Sequence, residues 1–205
     1  MCGPLNESLN AVDIPLLRLV GYLEGFRLAE KKSLYEKAKK EMRLSERILA
    51  AIPGFHGYKE KELRRESDKL MRKHLYRRLS EAKSDLRDIS QRLSDRRWFE
   101  VLTGIDRLLA RFDRVAAKVD HASYGYAGFF DVIKVDEADL DRMIDFDSNL
   151  LDDAEKIVKK VREFKSEVTE EEMKKTKEYI QDLSEQLEAF EETFDKRNEV
   201  ILGVN

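Results

Sequence analysis

The clearest heptad pattern in the chain lies in "LYRRLSEAKSDLRDISQRL", residues 75–93. Its apolar residues recur at alternating intervals of four and three, the spacing that keeps one stripe of a helix facing a partner helix. The stripe consists of Leu75, Leu79, Ala82, Leu86, Ile89 and Leu93. The stretch therefore predicts a long amphipathic helix that packs against other helices.

Helical spacing continues on both sides of this stretch. Upstream, Pro15 suits the first position of a helix and the pair Pro53-Gly54 ends one. Downstream, "SDRR" shifts the phase, which predicts a break. The next row is Trp98, Leu102, Ile105, Leu109, Phe112, Ala116 and Val119. Two further rows follow, Leu140, Met143, Asp147, Leu150, Ala154, Ile157, Val161 and Phe164, then Ile180, Leu183, Leu187, Phe190 and Phe194.

These rows predict an all-α fold, because no alternating strand pattern of useful length interrupts them. We expect an elongated antiparallel helical bundle with coiled-coil-like seams and four to five long helices, forming a single domain over residues 1–205. The helices are expected near 15–51, 59–94, 98–121, 137–167 and 170–201.

Composition favours the same class. Forty per cent of the residues are charged, with only 3 prolines and 9 glycines, which is typical of long solvated helices. Residues 1–10 lack a signal-peptide pattern, and the apolar run "IPLLRLV" is short and contains Arg18, so we expect a cytoplasmic protein. The single cysteine, Cys2, excludes an internal disulfide and a zinc site built on paired cysteines.

Known catalytic and metal motifs are missing from the sequence. The acidic run at residues 136–153 lacks the glycine that an EF-hand loop needs, and no Glu-x-x-His pair is present for a dinuclear iron site. A glycine-rich phosphate loop and a serine elbow are also absent. We therefore expect no enzyme activity, no cofactor and no metal, and no small-molecule substrate is indicated.

Charge is divided unevenly along the chain. Residues 59–118 carry 18 Lys and Arg against 11 Asp and Glu, whereas residues 119–205 carry 12 against 24. In a bundle, the basic helices can pair with the acidic ones and set the register. Alternatively, segment 59–118 binds the phosphates of nucleic acid or an anionic membrane surface. The candidate phosphate-binding residues are Arg64, Arg65, Arg72, Lys73, Arg77 and Arg78.

The segment "YGYAGFF", residues 124–130, puts two glycines and four aromatic rings between helices. One hypothesis is a packed corner at the end of the bundle. The other is a docking surface, because aromatic side chains are frequent binding hot spots. The candidate partner-binding residues are Tyr124, Tyr126, Phe129 and Phe130.

Asp147 is the one acidic residue in an otherwise apolar row. A lone buried carboxylate is costly, so we expect Asp147 either to meet an Arg or Lys of the basic helices or to lie at the wet edge of its seam. On that hypothesis, leucine in its place leaves the fold intact.

The stretches "IPGFHGYKEKELRRESDKL" (52–70) and "HASYGYAGFFDVIKVDEADL" (121–140) resemble segments of an uncharacterised family of prokaryotic helical proteins, described as conserved hypothetical proteins. The resemblance covers about half of the chain and implies a helical fold in the cytosol. It implies no activity for any residue.

The function that the sequence favours is a non-enzymatic helical scaffold or adaptor that acts through protein–protein contacts. Its partner is expected to be another protein or a second copy of the chain. The alternative is binding of nucleic acid or an anionic membrane surface through segment 59–118.

Overall fold

The computed structural model describes residues 31, 36–37, 39–40, 42–58, 63–122, 137–168 and 173–202. The chain divides into two compact units, Met1–Met42 and Arg43–Asn205. The first unit lies almost wholly outside the described residues, so the single domain expected over 1–205 stays a prediction. The fold given below is that of the second unit.

The described residues of the second unit lie mainly in helices. Helix α1 comprises residues 43–51 of this unit. The other helices are α2 (Arg64–Asp95), α3 (Phe99–His121), α4 (Glu137–Glu167) and α5 (Met173–Leu202). The described residues contain no β-strand, so the all-α class is confirmed.

The four long helices pack in a closed ring. Helix α2 contacts α3 and α4, and α5 contacts the same two helices. Ion pairs join Arg78 to Glu155 and Asp85 to Lys165, so α2 and α4 run in the same direction. Consecutive helices run in opposite directions. As a result, the start of α2, the end of α3, the start of α4 and the end of α5 meet at one end of the bundle, which we call the loop end.

The break predicted at "SDRR" is confirmed, and its geometry is a Schellman motif. The amide of Trp98 donates to the carbonyl of Leu93 (3.0 Å), and the amide of Arg97 donates to that of Ser94 (2.9 Å). Arg97 takes the left-handed conformation, with φ of 60°, that this motif requires. The motif ends α2 and allows α3 to fold back.

The core lies along the facing stripes of α2 to α5. All six residues of the opening stripe, from Leu75 to Leu93, are fully buried. In α3 the row differs from the prediction near its start: Val101 and Leu108 are buried, whereas the neighbouring Leu102 and Leu109 are only partly buried. Since both positions of each pair are apolar, spacing does not determine which of them faces the core.

Candidate functional site

Helices α1, α2 and α4 enclose a cleft of about 570 Å³. Its lining combines small apolar side chains with charged side chains of both signs. The lining residues are Arg47, Ala50, Ala51, His74, Arg77, Arg78, Ser148, Leu151, Asp152 and Glu155. We refer to this feature as the α1–α4 cleft.

The α1–α4 cleft exists because α1 is held against the bundle at a few points. Ile48, Ile52 and Phe55 are buried in the core and attach α1 and the loop that follows it. That loop turns at Gly54 and Gly57, whose φ values of 82° and 80° lie in the left-handed region that favours glycine. Residues of α1, α2 and α4 line the same cleft, so α1 lies beside α2 and α4.

Ion pairs connect the walls of the cleft. Arg47 of α1 donates to the carboxylate of Asp152 on α4 at 2.5 Å. Arg78 of α2 donates to both carboxylate oxygens of Glu155 at 2.6 and 2.5 Å, and it also pairs with Glu81. The hydrogen bond to Glu155 raises the pKa of Arg78 above its usual value. Two of the three arginines in the lining are therefore held by carboxylates.

The third arginine faces a histidine instead. The guanidinium of Arg77 lies 3.4 Å from Nδ1 of His74, which is half-buried. Burial is the main cause that lowers the pKa of His74, and the charges of Arg77 and Arg78 add to the effect. The His74 ring is therefore neutral at pH 7.

A buried polar network lies next to the cleft, at the loop end of the bundle. Tyr58 donates its hydroxyl hydrogen to Asp147 at 2.5 Å, and Arg197 donates to the other oxygen of Asp147, also at 2.5 Å. Arg197 also donates to the Tyr58 hydroxyl at 3.1 Å. Asp147 and Arg197 are 0% exposed. Burial raises the pKa of both Tyr58 and Asp147.

A second ion pair completes this network. Asp68 Oδ1 lies 2.9 Å from Nη1 of Arg197, and Asp68 Oδ2 accepts a hydrogen bond from Arg72 at 2.9 Å. Arg72 also donates to the backbone carbonyl of Asp120 at 3.1 Å. The buried network, defined as Tyr58, Asp68, Arg72, Asp147 and Arg197, thus balances two carboxylates with two guanidinium groups.

The expectation for Asp147 was partly wrong. Asp147 does pair with an arginine, but its partner Arg197 belongs to α5 and not to the basic helices. The side chain lies in the core and not at a wet edge. The sequence could not reveal this pair, because the two residues are 50 positions apart and meet only when α4 and α5 pack together.

The buried network also positions the α1–α4 cleft. It fixes Tyr58, the last described residue of the loop from α1, to α4 and α5. Ser67 near the start of α2 donates to the carbonyl of Gly57 at 2.8 Å and holds the same loop. On α4, Asp147 of the network is followed directly by Ser148 of the cleft. These contacts therefore hold the loop that carries the α1 wall of the cleft.

The six candidate phosphate-binding residues have different surroundings. Arg72 is 6% exposed and belongs to the buried network. Arg64 donates to the carbonyl of Tyr58 at 2.6 Å, and Arg78 is held by carboxylates. The exposed members of the set are Arg65, Lys73 and Arg77.

The exposed members form part of a stripe that the sequence analysis missed. Arg65, Lys69, Lys73 and Arg77 follow one another at intervals of four along α2, and all four are exposed. Residues four apart lie on one face of a helix, so this basic stripe runs along the outside of α2 and reaches the cleft at Arg77. Lys69 is the member of this stripe that was not among the six candidates, and its spacing of four from Arg65 and from Lys73 would have identified it.

Elsewhere, basic residues of segment 59–118 pair with acidic residues of α4 and α5. Lys118 of α3 donates to Asp195 (2.7 Å) and Glu191 (3.2 Å), both on α5. Arg111 lies 3.2 Å from Glu188. These pairs agree with the interpretation that opposite charges set the register between neighbouring helices.

The four candidate partner-binding residues, Tyr124, Tyr126, Phe129 and Phe130, lie outside the described residues. The α1–α4 cleft was not found from the sequence, because Ala50 and Ala51 give no motif. The sequence offered one signal, the pair of small apolar residues "AA" at the end of α1.

Two searches of the described residues and three comparisons were negative. Within the described ranges, no group of three or more His, Cys, Asp or Glu side chains is arranged to hold a metal ion. No described helix combines the length and apolar character that a membrane span requires. Comparisons of the chain with protein-family models, curated proteins and solved structures found no match.

Proposed function

We propose that the protein is a non-enzymatic helical scaffold that binds a segment of a partner protein in the α1–α4 cleft. The observation that carries this proposal is the lining of the cleft, in which Ala50, Ala51 and Leu151 stand among charged side chains of both signs. An apolar patch inside a polar rim is the usual composition of a protein–protein interface.

The shape of the site supports a helical or extended segment as the occupant. Three helices border the cleft, and amphipathic segments bind grooves between helices through apolar anchors. Small-molecule sites are usually lined mainly by apolar and aromatic side chains. Six of the ten lining residues here are Arg, His, Asp or Glu, which favours a protein partner over an apolar small molecule.

The experiment is affinity purification of the tagged protein from cells that express it naturally, with one variant that fills the cleft. Ala50→Trp places a large side chain in the lining, whereas Ala110→Trp makes the same change at an exposed alanine of α3, which does not border the cleft. We expect a protein that co-purifies at low and high salt, is lost with Ala50→Trp and is retained with Ala110→Trp. A partner that both variants retain contradicts the proposal.

The basic stripe on α2 supports a second candidate function, the binding of nucleic acid or anionic membrane. Its four exposed cations are aligned on one helix face. Asp152 and Glu155 in the adjoining cleft oppose this candidate, because they repel phosphates. Titration of duplex DNA, single-stranded RNA and phosphatidylserine vesicles tests it. Affinity that falls steeply with salt, and is lost when the four cations are replaced by glutamate, favours this candidate over the first.

A further inference from the structure

The α1–α4 cleft contains one cation that is not neutralised by a carboxylate of the described residues. Arg47 is held by Asp152, and Arg78 by Glu155 and Glu81. Arg77 is exposed, and its hydrogen bond within the described part of the chain is the one to His74. A guanidinium has five N–H donors, so Arg77 has donors left to offer to a ligand.

His74 lies beside Arg77 on the α2 wall of the cleft. Because a guanidinium can only donate, Nδ1 of His74 must act as the acceptor in their contact at 3.4 Å. The proton of the neutral ring is therefore on Nε2. When the ring is protonated, Nδ1 becomes a second donor on the side of the ring that faces Arg77.

We propose that Arg77 and His74 form an oxyanion subsite that takes one carboxylate, supplied by a glutamate or aspartate of the partner segment. This inference rests on the proposed function and names the chemistry of the partner's anchor. A carboxylate accepts two hydrogen bonds in the fork geometry of arginine. The apolar side chains of Ala50, Ala51 and Leu151 in the same cleft receive the partner's neighbouring apolar residues.

Charge decides in favour of a single carboxylate. The lining holds three arginines and two carboxylates, so with neutral His74 one positive charge is left. A side-chain carboxylate neutralises that charge. A polyphosphate brings more negative charge than the one remaining positive charge of the lining can balance.

Binding at this subsite is coupled to a proton. The charged groups that share the cleft with His74 are Arg77 and Arg78 from α2, Asp152 and Glu155 from α4, and Arg47 from α1. A bound carboxylate adds a negative charge beside the ring and favours its protonated form. Once protonated, Nδ1 turns from acceptor to donor and releases Arg77 to the ligand. One proton is taken up, so affinity increases as pH falls, by at most about ten-fold per pH unit.

The test is an NMR titration of the histidine ring signals of the whole chain. The probe is the blocked dipeptide N-acetyl-glutamyl-leucine amide, and its glutamine analogue is the neutral control. Ionic strength is held constant with chloride. His56 and His121 are exposed and lie outside the cleft, so they serve as internal references. We expect the glutamyl probe to shift the His74 signals and raise its pKa, with no response to the glutamine analogue.

Two variants localise the effect. Arg77→Gln should abolish the response of His74. Lys73→Gln removes the same charge one turn earlier on the exposed face of α2 and should preserve the response. Circular dichroism checks that both variants keep the parent helix content.

Three results overturn the inference. They are an equal response of His56 and His121, a response that survives Arg77→Gln, and binding of inorganic phosphate at His74 without binding of the glutamyl probe.

Failure of this test is distinct from failure of the proposed function. If the probe does not bind but Ala50→Trp still releases the partner protein, the carboxylate subsite is wrong and the docking cleft stands. If the probe binds but Ala50→Trp has no effect on the partner, the subsite stands and the proposed function is wrong.

Discussion

Replacing Asp147 by leucine removes one of the two carboxylates in the buried network. Within the buried network, Arg197, which is 0% exposed, then shares the carboxylate of Asp68 with Arg72. The Tyr58 hydroxyl loses its acceptor as well. The two buried guanidinium groups of the network would then share a single network carboxylate, so the charge balance of the network is lost.

The expected loss of stability follows from these contacts. Removing one partner of a buried ion pair typically costs about 3–5 kcal/mol. An unsatisfied buried hydroxyl costs about 1–3 kcal/mol, although this overlaps with the first figure. We therefore expect Asp147→Leu to lower the free energy of unfolding by about 3–5 kcal/mol, whereas the sequence alone led us to expect that leucine leaves the fold intact.

The double variant Asp147→Leu with Arg197→Met separates the charge effect from packing. It removes one charge of each sign and leaves Asp68 paired with Arg72. We expect the double variant to lose less stability than the two single variants together, by about 1–3 kcal/mol. Asp153→Leu is the matched control, because Asp153 lies on the same helix and pairs with Lys156 near the surface. Its effect should stay within about 1 kcal/mol.

Urea denaturation followed by circular dichroism and by the fluorescence of Trp98 measures these values. The midpoint should fall for Asp147→Leu while the denaturant slope stays constant. An unchanged or higher midpoint for Asp147→Leu refutes the reasoning, as does full additivity of the two single variants.

Three further predictions use the same unfolding assay. Gly104→Ala should stabilise the protein by about 0.5–1 kcal/mol, since alanine is the better helix former and its Cβ would meet Ile180 at 3.4 Å, an ordinary contact distance; a loss would show that α3 and α5 pack more tightly than described. Leu86→Ala should lower the free energy of unfolding by about 2–5 kcal/mol, because it leaves a cavity in the core. Leu49→Ala, at a side chain that is 48% exposed, should change it by less than about 0.5 kcal/mol. Equal effects of the two variants would contradict the burial of Leu86 in the core. Because the folded state lowers the pKa of His74, the free energy of unfolding should fall as pH falls below about 6.5, the usual pKa of histidine. His74→Asn should weaken this pH dependence. An identical pH profile for the variant would show that His74 is not the group responsible.

Much of the fold was predictable because its determinants are local. In α2, all six apolar residues of the stripe from Leu75 to Leu93 are buried, because an apolar row with polar neighbours can face the core in only one way. In α3 the sequence was ambiguous, because the pairs Val101-Leu102 and Leu108-Leu109 are apolar at both positions. Packing against α2 and α5 selects the first member of each pair.

The candidate site was less predictable because its parts meet only in three dimensions. Arg72 belongs to a basic run in the sequence, yet the structure buries it beside Asp68. The α1–α4 cleft brings together residues near positions 50, 75 and 150, which no local pattern connects. The basic stripe that borders the cleft does follow from the sequence, because its members are four residues apart. The candidate phosphate-binding residues were instead chosen where basic residues are most frequent along the chain, which does not show which of them share a helix face.

Site-specific photo-crosslinking in living cells tests whether a partner protein binds in the α1–α4 cleft. A photoreactive amino acid is placed at position 51 on the cleft wall or at position 110 on α3. We expect a discrete protein adduct from position 51 that is absent from position 110 and reduced by Arg77→Gln. Binding in the cleft is ruled out by adducts of equal yield from both positions, or by nucleic acid as the crosslinked species at position 51.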